Sequence, residues 1–177
     1  MSTRSLCLAA SLFATACTVL PDEEAGLDEI ETAPSGVTGI VRGTASSAST
    51  EIEYTWEGLR YELKSSQTPD GRVYLTMQDV IFAPDGHTGW HTHAGPTVAM
   101  VTQGTLTIYR ASAPCTGREF AAGQAFIDGP AMGNHIARNH TGGEVVVQLL
   151  HQLATPTTPF RVDQPAPPGA DGCKGRY

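Results

Sequence analysis

No long apolar stretch with helical spacing occurs anywhere in this chain of 177 residues. Amphipathic helices repeat their apolar residues every three to four positions, so a helical protein is set aside. Basic clusters are missing as well. There are 11 basic residues against 18 acidic ones, a net charge of −7. With no patch to neutralise phosphates, nucleic acid is excluded as a partner. The acidic excess is local, because Asp22, Glu23, Glu24, Asp28, Glu29 and Glu31 share one segment. Removing those six and Arg4 leaves 12 acidic and 10 basic residues, so the remainder is nearly balanced. Carboxylates are absent altogether between Asp85 and Glu119, and cysteine is limited to four residues.

The one apolar run near the N-terminus, Leu6 to Ala16, is too short to span a bilayer permanently. Preceded by Arg4, it reads as an export signal over residues 1–16. Ala14-Thr15-Ala16 fits the small-residue cleavage pattern, and Cys17 follows directly. That placement resembles a bacterial lipoprotein signal, with Cys17 as the lipidated first mature residue and the anchor as the sole membrane contact. Ordinary cleavage after Ala16 is the competing reading. The first gives a periplasmic or cell-surface lipoprotein, the second a secreted protein. Cys7 leaves with the signal in either case. Cys115 and Cys173 then remain as an even pair in an oxidising compartment, where a disulfide is expected. Two unrelated free thiols are the alternative.

Glycine (19) and proline (12) are plentiful and punctuate many short segments. Residues 17–50 read as an acidic, then Ser/Thr-rich tether, with at most a short strand from Val37 to Val41. Residues 51–163 alternate as strands do: Ile52–Trp56, Leu59–Leu63, Val73–Met77 with Val80–Phe82, Thr97–Val101, Thr105–Arg110, Gln124–Ile127, His135–Arg138 and Glu144–Leu153. Thr68–Gly71 and Ala83–Gly86 read as turns, and Ser112–Gly117 as a loop carrying Cys115. Val145–Leu150 is apolar on both faces and should be central. Residues 164–177 form a Pro/Gly-rich tail. This succession predicts an all-β, antiparallel barrel or jelly roll.

The chemistry concentrates in Gly89-Trp90-His91-Thr92-His93-Ala94-Gly95-Pro96. On a strand, residues i and i+2 share one face, so His91 and His93 can converge on one metal ion. A third histidine, His135, follows a turn containing Pro130 and Gly133, with Asn139 four residues on. In this order the residues resemble the two motifs of the cupin superfamily. His91, His93 and the closing Gly104 match the first motif. Gly123, Pro130, Gly133, His135 and Asn139 match the second. The resemblance covers about residues 73–153 and implies a double-stranded β-helix, a small jelly-roll barrel with a metal inside.

One departure bears on the chemistry. The glutamate of the first motif is replaced by Thr97, and no carboxylate on that stretch can stand in for it. The expected ligand set is therefore His91, His93 and His135, with Thr97 at the missing-ligand position. Three neutral imidazoles leave a divalent ion its full +2 charge and suit Zn, Cu, Fe or Ni, with Mn kept as a further candidate. His87 and His140 read as solvated turn residues, and His151 as a core histidine that could face the cavity. Trp90 reads as packing, and Gln148, Met100 and Phe126 as cavity lining. The resemblance implies a small-molecule partner, allows a homodimer, and points to an exported oxidoreductase of the dioxygenase kind. A non-catalytic barrel holding a small ligand or a metal is the second reading.

Overall fold

A computed structural model describes residues 33–173. The export signal, Cys17 and the first half of the expected tether lie outside these residues. Twelve strands make up the described chain: β1 (Ser35–Ala48), β2 (Glu51–Trp56), β3 (Leu59–Lys64), β4 (Arg72–His87), β5 (His91–Thr92), β6 (Thr97–Gln103), β7 (Thr105–Arg110), β8 (Ala113–Ala121), β9 (Ala125–Asp128), β10 (His135–Arg138), β11 (Val145–Leu153) and β12 (Val162–Asp163). Short 3-10 turns follow β3, β9 and β12.

All pairings are antiparallel. One layer runs β1-β4-β11-β6-β9. The other runs β8-β7-β10, continued by β5 and β12. A single pair, Arg138 with His87, joins β10 to β4, so the layers form one nearly closed barrel. The hairpin β2–β3 is a separate two-stranded sheet, with Tyr54 stacked on Tyr61 at 5.2 Å. As its composition predicts, β11 is internal, flanked by β4 and β6.

Period-two alternation sorts the side chains. Inward residues of both layers meet in one core: Val80 and Phe82, Ala99 and Val101, Leu106 and Ile108, Phe120, Phe126, Ala137, Val145 and Val147. The same alternation continues each strand toward a polar end. Thr97 extends the row of Ala99 and Val101, Asp128 that of Phe126, His135 that of Ala137, and His151 that of Val147 and Leu149. Gly104, at φ +75°, makes the β6–β7 turn, where an added Cβ would lie 2.8 Å from Val145 Cγ2. Gly95 lets the histidine segment press on β11, since its Cβ would lie 2.1 Å from the Gln152 carbonyl oxygen.

Three expectations need correction. Residues 35–48, assigned by composition to the tether, form β1 and pair along β4 from Val37–Phe82 to Ala48–Arg72. Most of β1 is exposed, so counting bulky apolar residues overlooks it. An edge strand is ordered by its backbone ladder and needs little buried area. Ala83–Gly86 is not a turn between strands but an irregularity within β4, opposite the break between Ser35 and Val37, with Asp85 at φ +59°. Cys115 lies on β8 rather than in a loop.

The outer face of the second layer carries a smaller core. Trp90, Tyr109 and Ile136 point away from the barrel interior and pack with Ala170 and Cys173 of the tail. Cys115 and Cys173 are joined in a disulfide, Cα atoms 5.0 Å apart and 58 residues apart in sequence. Closing a loop of that length stabilises by up to about 4 kcal/mol through the entropy of the unfolded chain. The double substitution Cys115→Ser, Cys173→Ser should lower unfolding stability by up to that amount in urea titrations. An unchanged midpoint would contradict this account of the tail.

Candidate metal centre

His91 and His135 are a direct cross-strand pair between β5 and β10, which sets their rings 4.2 Å apart. His93 lies two residues beyond His91, with its ring 5.2 Å from His91 and 5.3 Å from His135. One ring nitrogen from each can be chosen so that all three lie within 4.8 Å of one another. All three residues are buried.

Two of the rings are oriented by backbone carbonyls. His91 Nδ1–H donates to the Gly89 oxygen at 3.0 Å, and His93 Nδ1–H to the Phe160 oxygen at 2.8 Å. These bonds select the tautomer whose Nε2 lone pair is free for a metal. Burial holds His91 and His135 well below the ordinary imidazole range, reinforced by the neighbouring histidines. Burial also lowers His93. All three are therefore neutral at pH 7, the form that binds metals.

Thr97 faces the same space. It is buried, and its hydroxyl contacts both the Gly95 carbonyl oxygen at 3.3 Å and His151 Nδ1 at 3.2 Å. His151 Nε2–H in turn donates to Gln78 Oε1 at 3.0 Å. Thr97 thus occupies the missing-ligand position with its hydroxyl held between the Gly95 carbonyl and a fourth histidine. His151 is both a satisfied core residue and part of the cavity wall, with Phe160 stacked on it at 4.7 Å.

Beside Thr97 lies a residue that the motifs do not include. Asp128 on β9 is the cross-strand partner of Thr97. It is 1% exposed, and its Oδ2 lies 3.2 Å from His135 Nε2. Burial pushes its carboxyl pKa up, opposed by His93 and Arg110. Asp128 lies outside the carboxylate-free stretch between Asp85 and Glu119 because it arrives from the neighbouring strand. The available signal was alternation with Phe126 on a strand ending at Gly129-Pro130.

The centre closes one end of a cavity of about 390 Å³. Its walls are mostly apolar, built from Val80, Phe82, Ile108, Phe126 and Leu149 among others, with Gln78, Thr88 and Arg161 as further polar lining and Phe160 contributing. A volume of this size accepts a small molecule. Phe126 lines it as expected. Met100 does not, being 41% exposed, and Gln148 instead donates to Asp79. Both lie at even positions, out of phase with the inward rows. His87 is buried rather than solvated, and its Nδ1 accepts from the Gly89 amide. His140 is exposed, and its Nε2 contacts the Tyr109 hydroxyl at 2.9 Å. Asn139 has a structural task. Its amide nitrogen donates to the carbonyls of Ala83 and Gly143, and its oxygen accepts from Thr141, which clasps the loop after β10 to β4.

No protein-family model and no curated protein sequence matches the chain. Solved structures do. A polyketide cyclase from Streptomyces resistomycificus is 14% identical, with 73% of this chain and 77% of that one covered and a TM-score of 0.45. A cupin domain from Bordetella pertussis Tohama I is 19% identical, over 60% and 97% of the two chains, with a TM-score of 0.39. A recombinant oxalate oxidase in complex with glycolate is 23% identical, over 67% and 55%, with a TM-score of 0.41.

The buried histidines carry a pH signature. His151 is held at about 3, first by burial and then by His93, against about 6.5 in the unfolded chain. Its contribution is fully present above about pH 6.5. It declines as pH falls toward 3, because the unfolded chain takes up a proton that the folded chain refuses. In metal-free protein, His151→Gln should flatten the fall in unfolding free energy below pH 6.5, by up to about 1.4 kcal/mol per pH unit. Parallel slopes in urea titrations between about pH 7 and pH 4 would show that His151 titrates normally.

Proposed function

We propose that this chain, whose barrel and histidine motifs resemble those of the cupin superfamily, is a metal-dependent oxidoreductase of the dioxygenase kind acting on a small molecule. The observation that carries this reading is the placement of three buried, neutral imidazoles at the polar end of an apolar cavity. His91, His93 and His135 would hold one divalent ion, and the donor set fits it: nitrogen ligands, carbonyl-fixed tautomers at His91 and His93, and no competing proton. When bound, such an ion supplies a Lewis-acidic and, for iron, copper or manganese, redox-active centre.

The rest of the chemistry belongs to the chain itself. The Val, Ile, Leu and Phe walls take up the apolar body of a substrate and exclude water from its reacting end. His151, fixed by Thr97 and Gln78, presents an ordered polar edge beside the triad. Arg161 at the cavity lining offers a cation to an anionic or carbonyl-bearing group.

Export is part of the same proposal. The disulfide is compatible with an oxidising compartment, and among the described residues no helix is long and apolar enough to cross a membrane. Cys17 as the lipidated residue remains the preferred anchor, with simple secretion as its alternative.

Metal analysis of protein purified from its native compartment tests the central claim. We expect one redox-active divalent ion per chain and O₂ uptake with a small substrate. His91→Ala, His93→Ala and His135→Ala should each cut metal occupancy at least tenfold, whereas His140→Ala should leave it unchanged. Zinc or no metal, without O₂ uptake, would assign the chain to the alternative of a non-catalytic ligand-holding barrel. Full occupancy after His91→Ala, His93→Ala together would end the three-histidine reading.

A further inference from the structure

We propose that Asp128 is the carboxylate ligand of this centre, supplied from β9 in place of the glutamate that Thr97 replaces on β6. The inference rests on the reading of His91, His93 and His135 as a metal site.

The two oxygens of Asp128 do different work. Oδ1 accepts the Gly129 amide proton at 2.8 Å and faces Arg110 Nη1 at 3.8 Å. Those contacts account for its burial on β9. Oδ2 has no hydrogen-bond partner, although the residue is 1% exposed. A buried carboxylate oxygen without a partner is costly unless something cationic occupies the space beside it. That space is the histidine centre, since Oδ2 lies 3.2 Å from His135 Nε2. With metal–ligand bonds of about 2.0–2.2 Å, neighbouring donor atoms on one ion stand roughly 3.0–3.5 Å apart. The Oδ2–His135 Nε2 separation falls in that range; the donor atoms already within 4.8 Å of one another are those of His91, His93 and His135, so Asp128 would swing toward the other two histidines to complete the set.

Register explains how the exchange works. Thr97 and Asp128 are paired across the β6–β9 ladder, so their side chains emerge side by side on the inner face. A carboxylate lost from one strand is regained from the adjacent strand without altering the backbone. The ligand set becomes three imidazoles and one carboxylate, and the site charge with a divalent ion falls from +2 to +1. Arg110 then balances Asp128 when the ion is absent.

The test compares divalent-ion affinity of the full-length protein, with Co²⁺ and Zn²⁺ as probes, by chelator competition at fixed neutral pH. Asp128→Asn keeps the shape and removes the charge, and Asp128→Ser is a second variant should the amide disturb folding. Each should weaken binding at least tenfold. The ligand-field absorption of the Co²⁺-loaded protein should shift with them. Thr97→Glu added to Asp128→Asn should restore affinity and move the absorption back, because it returns a carboxylate to the paired position. Wild-type affinity and an unchanged Co²⁺ spectrum in both Asp128 variants would overturn this inference alone. Loss of affinity without rescue by Thr97→Glu, and with an unchanged spectrum, would also overturn it by assigning Asp128 a purely structural role. A wild-type protein that binds neither ion would overturn this inference and the metal reading together.

Discussion

The centre depends on one short ladder. β10 is only four residues long, yet it pairs with β7 along its length, with β5 at His135–His91 and with β4 at Arg138–His87. Side chains on a strand alternate faces, so a slip of one residue would turn His135 outward and bring Ile136 in. Register here is held from both ends. Asn139 clasps the exit of β10 to the carbonyls of β4, and the Thr88 hydroxyl accepts the Ala137 amide. The outer core of Trp90, Tyr109 and Ile136 holds the opposite face. None of these residues is one of the three histidines, yet each fixes where the imidazoles point.

Burial then gives those imidazoles their character. A site so closed to water would be hostile to a charged histidine, so the rings stay neutral and keep their lone pairs. The same desolvation makes the free oxygen of Asp128 expensive to leave alone. Hydrophobic walls and metal-ligand chemistry are therefore parts of one arrangement: the apolar rows that stabilise the barrel also keep the polar end free of competing water and protons.

Much of this was legible in the chain. The H-x-H spacing, the third histidine and the run of short alternating segments indicated the barrel and the triad. The pairing of Cys115 with Cys173 also followed from compartment and count. What escaped was whatever depends on neighbours across a ladder rather than along a strand. Asp128 adjoins Thr97 only through the β6–β9 register, and sequence separation conceals it. β1 reads as tether because its side chains stay mostly in solvent. His87 reads as a turn residue because Ala83-Pro84-Asp85-Gly86 looks like a chain reversal, whereas β4 runs through it. Met100 and Gln148 were misplaced by the phase of their strands.

The carbonyl that orients His93 belongs to Phe160, 67 residues downstream. The triad residues themselves are complete at His135, but the tautomer of His93 is not settled until Phe160 has been made and folded back. A nascent chain lacking Phe160 would own all three histidines and still present one of them unoriented. On the metal reading proposed above, loading would follow the docking of Phe160 and barrel closure rather than nucleate them. Zinc fingers work the other way, with the ion organising a chain that is unfolded without it. Here the polypeptide alone brings the three imidazoles together, and an ion would meet a site already built.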